Sequence, residues 1–150
     1  MDRKQLLKRV DWGWTAFRQS FQGVPHGALL QPVVVGEWSV KDLIDHAATW
    51  EDSRAALYAM MQGRSPLRYV TYGGIDAFNH AQRLLLHDAP LSDALQRSDA
   101  VHARLLTFLS DVPWGHFAAE TRFRRLRLDS YRHYREHQLH VLAWRQARGL

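Results

Sequence analysis

Apolar residues recur along this chain at three- and four-residue steps, the period of helices that bury one face. Leu7, Val10, Trp14, Phe17 and Phe21 mark a first helix over residues 3–21. Gly13 lies inside it and costs about 1 kcal/mol of helix propensity relative to Ala, so tertiary packing must hold this segment. A second helix opens at Ser39, where Ser39 and Asp42 have the spacing of a capping box and Trp38 is placed to pack on the first turn. Val40, Leu43, Ile44, Ala47, Trp50 and Leu57 carry its period to about Met61. A third runs from Ile75 to about Leu86, with Phe78, Gln82, Leu85 and Leu86 near one face, and stops before Asp88-Ala89-Pro90. The fourth starts at Ser92, carries Leu95, Val101, Leu105, Leu106, Phe108 and Leu109, and is ended by Pro113. The last follows a cap at Asp129 or Ser130 and finishes in Arg145 and Arg148, cations that suit a helix C-terminus.

The intervening stretches break that period. Residues 22–38 hold glycines and prolines and read as a loop with His26 exposed; Val33 to Val35 suit a short strand but have no partner strand elsewhere. Residues 63–74 form a second long loop, punctuated by Gly63, Pro66, Gly73 and Gly74. Its length is typical of functional loops, and Arg64, Arg68, Tyr69 and Tyr72 could line a site mouth or cover the bundle end. Residues 114–128 read as a loop with a short extended piece. Five helical segments, four of them long, and no convincing strand predict an all-α fold. The simplest form is a four-helix bundle with an extra short helix or loop excursions, in a single domain over residues 1–150.

Composition narrows the chemistry. With 150 residues the chain can bury a real core. No stretch reaches the ~20 apolar residues of a membrane span, and Met1 to Val10 lack the apolar block of a secretory signal, so a cytoplasmic protein is expected. The absence of cysteine excludes disulfides, a thiolate zinc site and a cysteine nucleophile; thiol chemistry would need an external thiol. The formal charge is +5, but its only cluster is Arg122, Arg124, Arg125 and Arg127. No recognition motif accompanies that cluster, so a nucleic-acid partner is not expected.

Three of the nine histidines fall in the last helix. His133, His137 and His140 stand at i, i+4 and i+7 and therefore share a face. Neutral imidazoles on one stripe can bind a metal or move protons near neutral pH. His46 lies between Leu43 and Trp50 on the inward face of the second helix, where it is either a hydrogen-bonded core residue or a ligand. A pair at i, i+4 plus one histidine from a facing helix gives three facial ligands and leaves a coordination position open. His80, His87 and His102 have no paired spacing and read as surface or satisfied polar residues.

The segment Trp38 to Glu51, WSVKDLIDHAATWE, resembles the W-S/T-V-K-D-L-x-x-H-x-x-x-W-E signature of the DinB-like superfamily, especially its ClbS/DfsB branch. Ile75 to Ala81 is similar to that branch's D-x-F-N element, and His133 to His137 to its late H-x-x-x-H. The three matches fall in family order. The resemblance implies a four-helix core of the DinB/YfiT type and a divalent metal, nickel or zinc, held by His46, His133 and His137. The extra His140 leaves open a pair of His137 with His140. The implied activity is a metal-dependent enzyme, thiol transferase or hydrolase-like, acting on a small molecule. The ion would activate water or an external thiol such as bacillithiol or mycothiol, whose carboxylate Arg64 or Arg68 could bind. The alternative is a metal-free small-molecule-binding or protective protein of the ClbS/DfsB kind. Asp45 and Glu136 neighbour ligand positions but point elsewhere and receive no role; Asp42, Glu51 or Tyr134 could orient a ligand ring. Six tryptophans and aromatic positions such as Trp114 and Tyr131 suggest a homodimer surface.

Overall fold

A computed structural model describes residues 1–32, 34–61, 68–117 and 126–150, and the side chains of these except at 53–61, 68 and 116. Val33, Arg64, Arg122, Arg124 and Arg125 lie outside the described residues, as do the side chains of Leu57 and Arg68. The helices are α1 (Arg3–Ser20), α2 (His26–Leu29), α3 (Val40–Met61), α4 (Ile75–Leu86), α5 (Leu91–Asp111) and α6 (Tyr131–Arg148). The five helices expected from periodicity are all present. There is no strand among the described residues; an isolated bridge between Val35 and Trp38 closes the turn before α3.

Local chemistry sets the helix ends. Asp2 caps α1 with a full capping box, its carboxylate accepting from the Gln5 amide at 2.8 Å while the Gln5 side chain accepts from the Asp2 amide at 3.1 Å. The box expected at α3 forms: the Ser39 amide donates to Asp42 at 2.9 Å, and the Asp42 amide to Ser39 Oγ at 3.1 Å. Helix α5 begins at Leu91 behind Pro90, one residue before the expected start, because the Ser92 hydroxyl donates to Asp93 instead of capping. Ser130 takes the cap position of α6, yet its hydroxyl donates to the Leu126 carbonyl. Gly149, at φ 66°, ends α6 in the left-handed conformation that favours glycine. The single turn α2 was not expected; Pro25 presets its entry and Leu29 is buried beneath it.

Four long helices form a ring. Helices α1 and α6 run parallel: Gly13 abuts Tyr131 and Tyr134, and Arg145 Nη1 donates to the Ser20 carbonyl at 2.9 Å. Helix α5 runs antiparallel to α1, since Arg3 reaches the Ser110 and Val112 carbonyls while Trp14 Nε1 donates to Ser98 at 3.3 Å. It runs parallel to α3, as the pairs Asp45 with Arg97 and Asp52 with Arg104 show. That leaves α3 and α6 as antiparallel neighbours, with α4 packed on the outside of α3. The core is a continuous apolar cluster that includes Leu6, Val10, Phe17, Leu43, Ile44, Leu109, Val141 and Trp144.

Gly13 shows why local propensity yields to packing here. A Cβ at this position would stand 3.2 Å from Tyr131 Cβ and 3.3 Å from its Cα. The bare backbone lets α6 approach α1 closely, and the helix-propensity cost of about 1 kcal/mol is offset by that contact. Trp114 and Tyr131, offered by the sequence as dimer surface, are partly buried against the core. No described helix is long and apolar enough to cross a membrane.

Candidate metal centre

The α3–α6 seam brings His46, His133 and His137 together. One helical turn separates the two histidines of α6, so both face α3 at the level of His46. The Nε2 atoms of His46 and His133 stand 2.9 Å apart, and those of His137 and His133 2.8 Å apart. Ring centroids lie 4.4 to 5.1 Å from one another. All three potential ligand atoms fit within 4.8 Å, the only such group among the described residues. Trp38 meets the His46 ring edge-on at 5.0 Å, and Phe17 approaches His137 at 6.3 Å. Aromatic walls therefore surround the donors.

Electrostatics keeps His46 and His137 basic in form but uncharged. Burial, reinforced by the neighbouring His137, pushes His46 down to about 3. Burial, then His133 and His140, hold His137 well below the ordinary histidine range. Desolvation penalises the imidazolium, so at neutral pH both rings are neutral and offer lone pairs. Three converging imidazole nitrogens, with no carboxylate grouped with them among the described residues, form a donor set that suits zinc, nickel, copper or iron. Nitrogens sharing a tetrahedral ion stand roughly 3.4 Å apart, so the residues present fit an ion after a slight opening of the rings. Three protein ligands leave one position for water or substrate.

His140 does not join them. Its ring lies 5.9 Å from that of His137 and lines a cavity of about 400 Å3 beside the triad. Val35, Trp38, Leu43, Asn79 and the rim carboxylates Glu37 and Glu136 complete the wall. Glu136, given no role by its helix position, thus borders the cavity although it is exposed. Asp45 is occupied as expected elsewhere, by Lys41 at 3.1 Å and Arg97 at 3.5 Å. The carboxylates considered as orienting partners of the ligand rings have other commitments. Asp42 accepts from Ser39 and Arg83 and contacts His87, while Glu51 pairs with His102. Tyr69 and Tyr72 pack on Trp50 and Phe78 at 5.8 and 5.3 Å and do not line this cavity.

A second buried histidine escaped spacing arguments. His102 on α5 contacts Glu51 Oε2 at 3.4 Å through Nδ1 and Asp11 Oδ1 at 3.3 Å through Nε2, and stacks on Trp14 at 4.3 Å and 5°. His26 and His80 are exposed, and His87 is largely so. No spacing in the sequence marks His102, because its partners come from two other helices; a buried-face position on α5 was the only available signal. Asn79 carried only the resemblance of Asp76 to Asn79 to a D-x-F-N element, which assigned it no role.

A four-helix ring with a buried facial set of three histidines defines a helical-bundle protein with a candidate metal centre. The family model of the DinB superfamily matches residues 9–146, and the chain belongs to that superfamily. No curated protein and no solved structure matches it.

Proposed function

We propose that this chain is a metal-dependent enzyme in which His46, His133 and His137 hold a divalent ion, nickel or zinc. The observation that carries the reading is the convergence of three imidazole Nε2 atoms at 2.8 and 2.9 Å beside an open cavity. When bound, such an ion lowers the pKa of a water or of an external low-molecular-weight thiol, bacillithiol or mycothiol, and so supplies a nucleophile at neutral pH. The chain's own residues do the rest. His46 and His137 of the triad line the cavity, and Trp38, Leu43 and Val35 offer apolar surface that excludes water from a small-molecule substrate. His140, outside the ligand set, is available on the cavity wall to exchange a proton.

A metal-free, ClbS/DfsB-like binding or protective protein is the second reading. It is favoured by the short Nε2 contacts themselves, which are also hydrogen-bond distances for imidazoles sharing protons. Elemental analysis of protein purified without a nickel column separates the two. The metalloenzyme predicts one tightly held divalent ion per chain, lost when His46 and His133 are both replaced by Ala. Wild-type protein without stoichiometric metal sinks it. The homodimer remains a proposal, with exposed Trp12, Leu139 and Leu142 as its available apolar surface.

A further inference from the structure

The cavity beside the three imidazoles has one polar wall whose orientation is fixed from outside. Trp50 lies one turn beyond His46 on α3, and its indole Nε1 donates to Asn79 Oδ1 on α4 at 2.9 Å. An indole N–H can only donate. The contact therefore decides which end of the Asn79 amide is oxygen and which is nitrogen, an assignment that an amide alone leaves ambiguous. The Nδ2 group at the other end makes no hydrogen bond among the described residues. The side chain itself lines the cavity that His46 and His137 also line.

A half-buried amide held rigid at its oxygen and unused at its nitrogen is a pre-set donor. We infer that Asn79 is a binding residue of this site, its Nδ2 donating to an acceptor oxygen of the small molecule that occupies the cavity. The charge of the wall narrows that molecule further. Although the chain carries +5 overall, the cavity lining contains Glu37 and Glu136 and neither lysine nor arginine. Apart from the ion on the histidines, a free carboxylate finds no cation in the described wall and meets Glu37 and Glu136, whereas an uncharged carbonyl compound, an amide, ester or ketone, can place its oxygen on Asn79 without meeting repulsion. The sequence expectation of a carboxylate clamp by Arg64 or Arg68 rests on groups outside the described side chains; the described wall selects neutral acyl groups.

This inference rests on the triad's holding an ion, and the test separates the two. Wild-type protein, Asn79→Ala and Asn79→Asp are each loaded with cobalt(II), whose ligand-field absorption reports occupancy of the histidines. Each is then titrated with acetohydroxamic acid, a carbonyl-bearing molecule that is uncharged in neutral solution and binds a metal as its hydroxamate, releasing a proton to the buffer. Asn79→Asp keeps an acceptor for Trp50 and so preserves the fold should the alanine variant not fold. The expected result is unchanged cobalt uptake in all three and a Kd for the hydroxamate weakened about tenfold or more in both variants, the worth of one hydrogen bond. Normal uptake with a Kd within about twofold of wild type in the folded variants overturns the role of Asn79 and leaves the metal reading standing. A wild type that takes up no cobalt overturns the metal reading and this inference with it.

Discussion

Two buried histidine clusters in this molecule teach opposite lessons about the same side chain. At the α3–α6 seam, imidazoles face imidazoles, aromatic rings close around them, and among the described residues no carboxylate joins the group. At the crossing of α1, α3 and α5, the single imidazole of His102 is bracketed by Glu51 and Asp11 and stacked on Trp14. In the first cluster the ring nitrogens converge on one another, at 2.8 and 2.9 Å. In the second, a buried base and a buried acid answer each other's polarity. Burial raises the Glu51 carboxyl above its ordinary value, against the opposing pull of His102 and Tyr134. Burial of a histidine is thus neutral information; what surrounds the ring decides whether it is a ligand or a structural partner.

Exchange of roles is the sharpest way to break this contrast. His133→Ala is expected to weaken metal binding by roughly 100-fold or more, whereas His102→Ala leaves metal stoichiometry untouched. Equal metal loss in both variants, measured by competition with a chelator, would erase the distinction.

Stability should show the reverse ranking. Glu51→Ala is expected to cost about 3 kcal/mol, the low end for a broken buried pair, because His102 retains its contact with Asp11. The measurement is the urea midpoint of metal-free protein, and a loss below about 1 kcal/mol, the scale of an exposed pair, would demote the Glu51 contact to incidental.

Acid sharpens the comparison with a smaller effect. His46 binds its proton only near pH 3 in the folded chain but near 6.5 when unfolded. The unfolded state takes up protons first, so metal-free protein is fully stabilised by this group above about pH 6.5 and loses that contribution as pH falls toward 3. Glu51 acts in the opposite sense: its raised pKa contributes stability at low pH that is lost as pH rises above the ordinary 4.5. Between pH 6.5 and 5, the wild type is expected to lose about 1 kcal/mol per pH unit through His46. His46→Gln should flatten that slope, and an unchanged slope would show that the ring is not held neutral by its surroundings.

Much of the fold was legible because helices report themselves locally. The Ser39–Asp42 box, the stop before Pro90 and the 3.6-residue period of α3 and α6 need no knowledge of neighbours. Ser92 misled because a hydroxyl can satisfy a nearby side chain as readily as a helix amide, and α2 was hidden among prolines and glycines. Trp114 and Tyr131 read as exposed because amphipathic position alone does not say which helix covers a residue.

For the site, the sequence by itself determined that His133 and His137 share a helix face, since helix geometry fixes i and i+4 whatever else the chain does. It carried the resemblance that singled out His46. Only the tertiary structure decided that α3 and α6 are antiparallel neighbours in register, that His140 falls outside the triad, and that Asn79 and Glu136 reach the same cavity. The reason is physical: contacts within a helix follow from one repeating dihedral pair, whereas contacts between helices follow from how every side chain of the core packs at once.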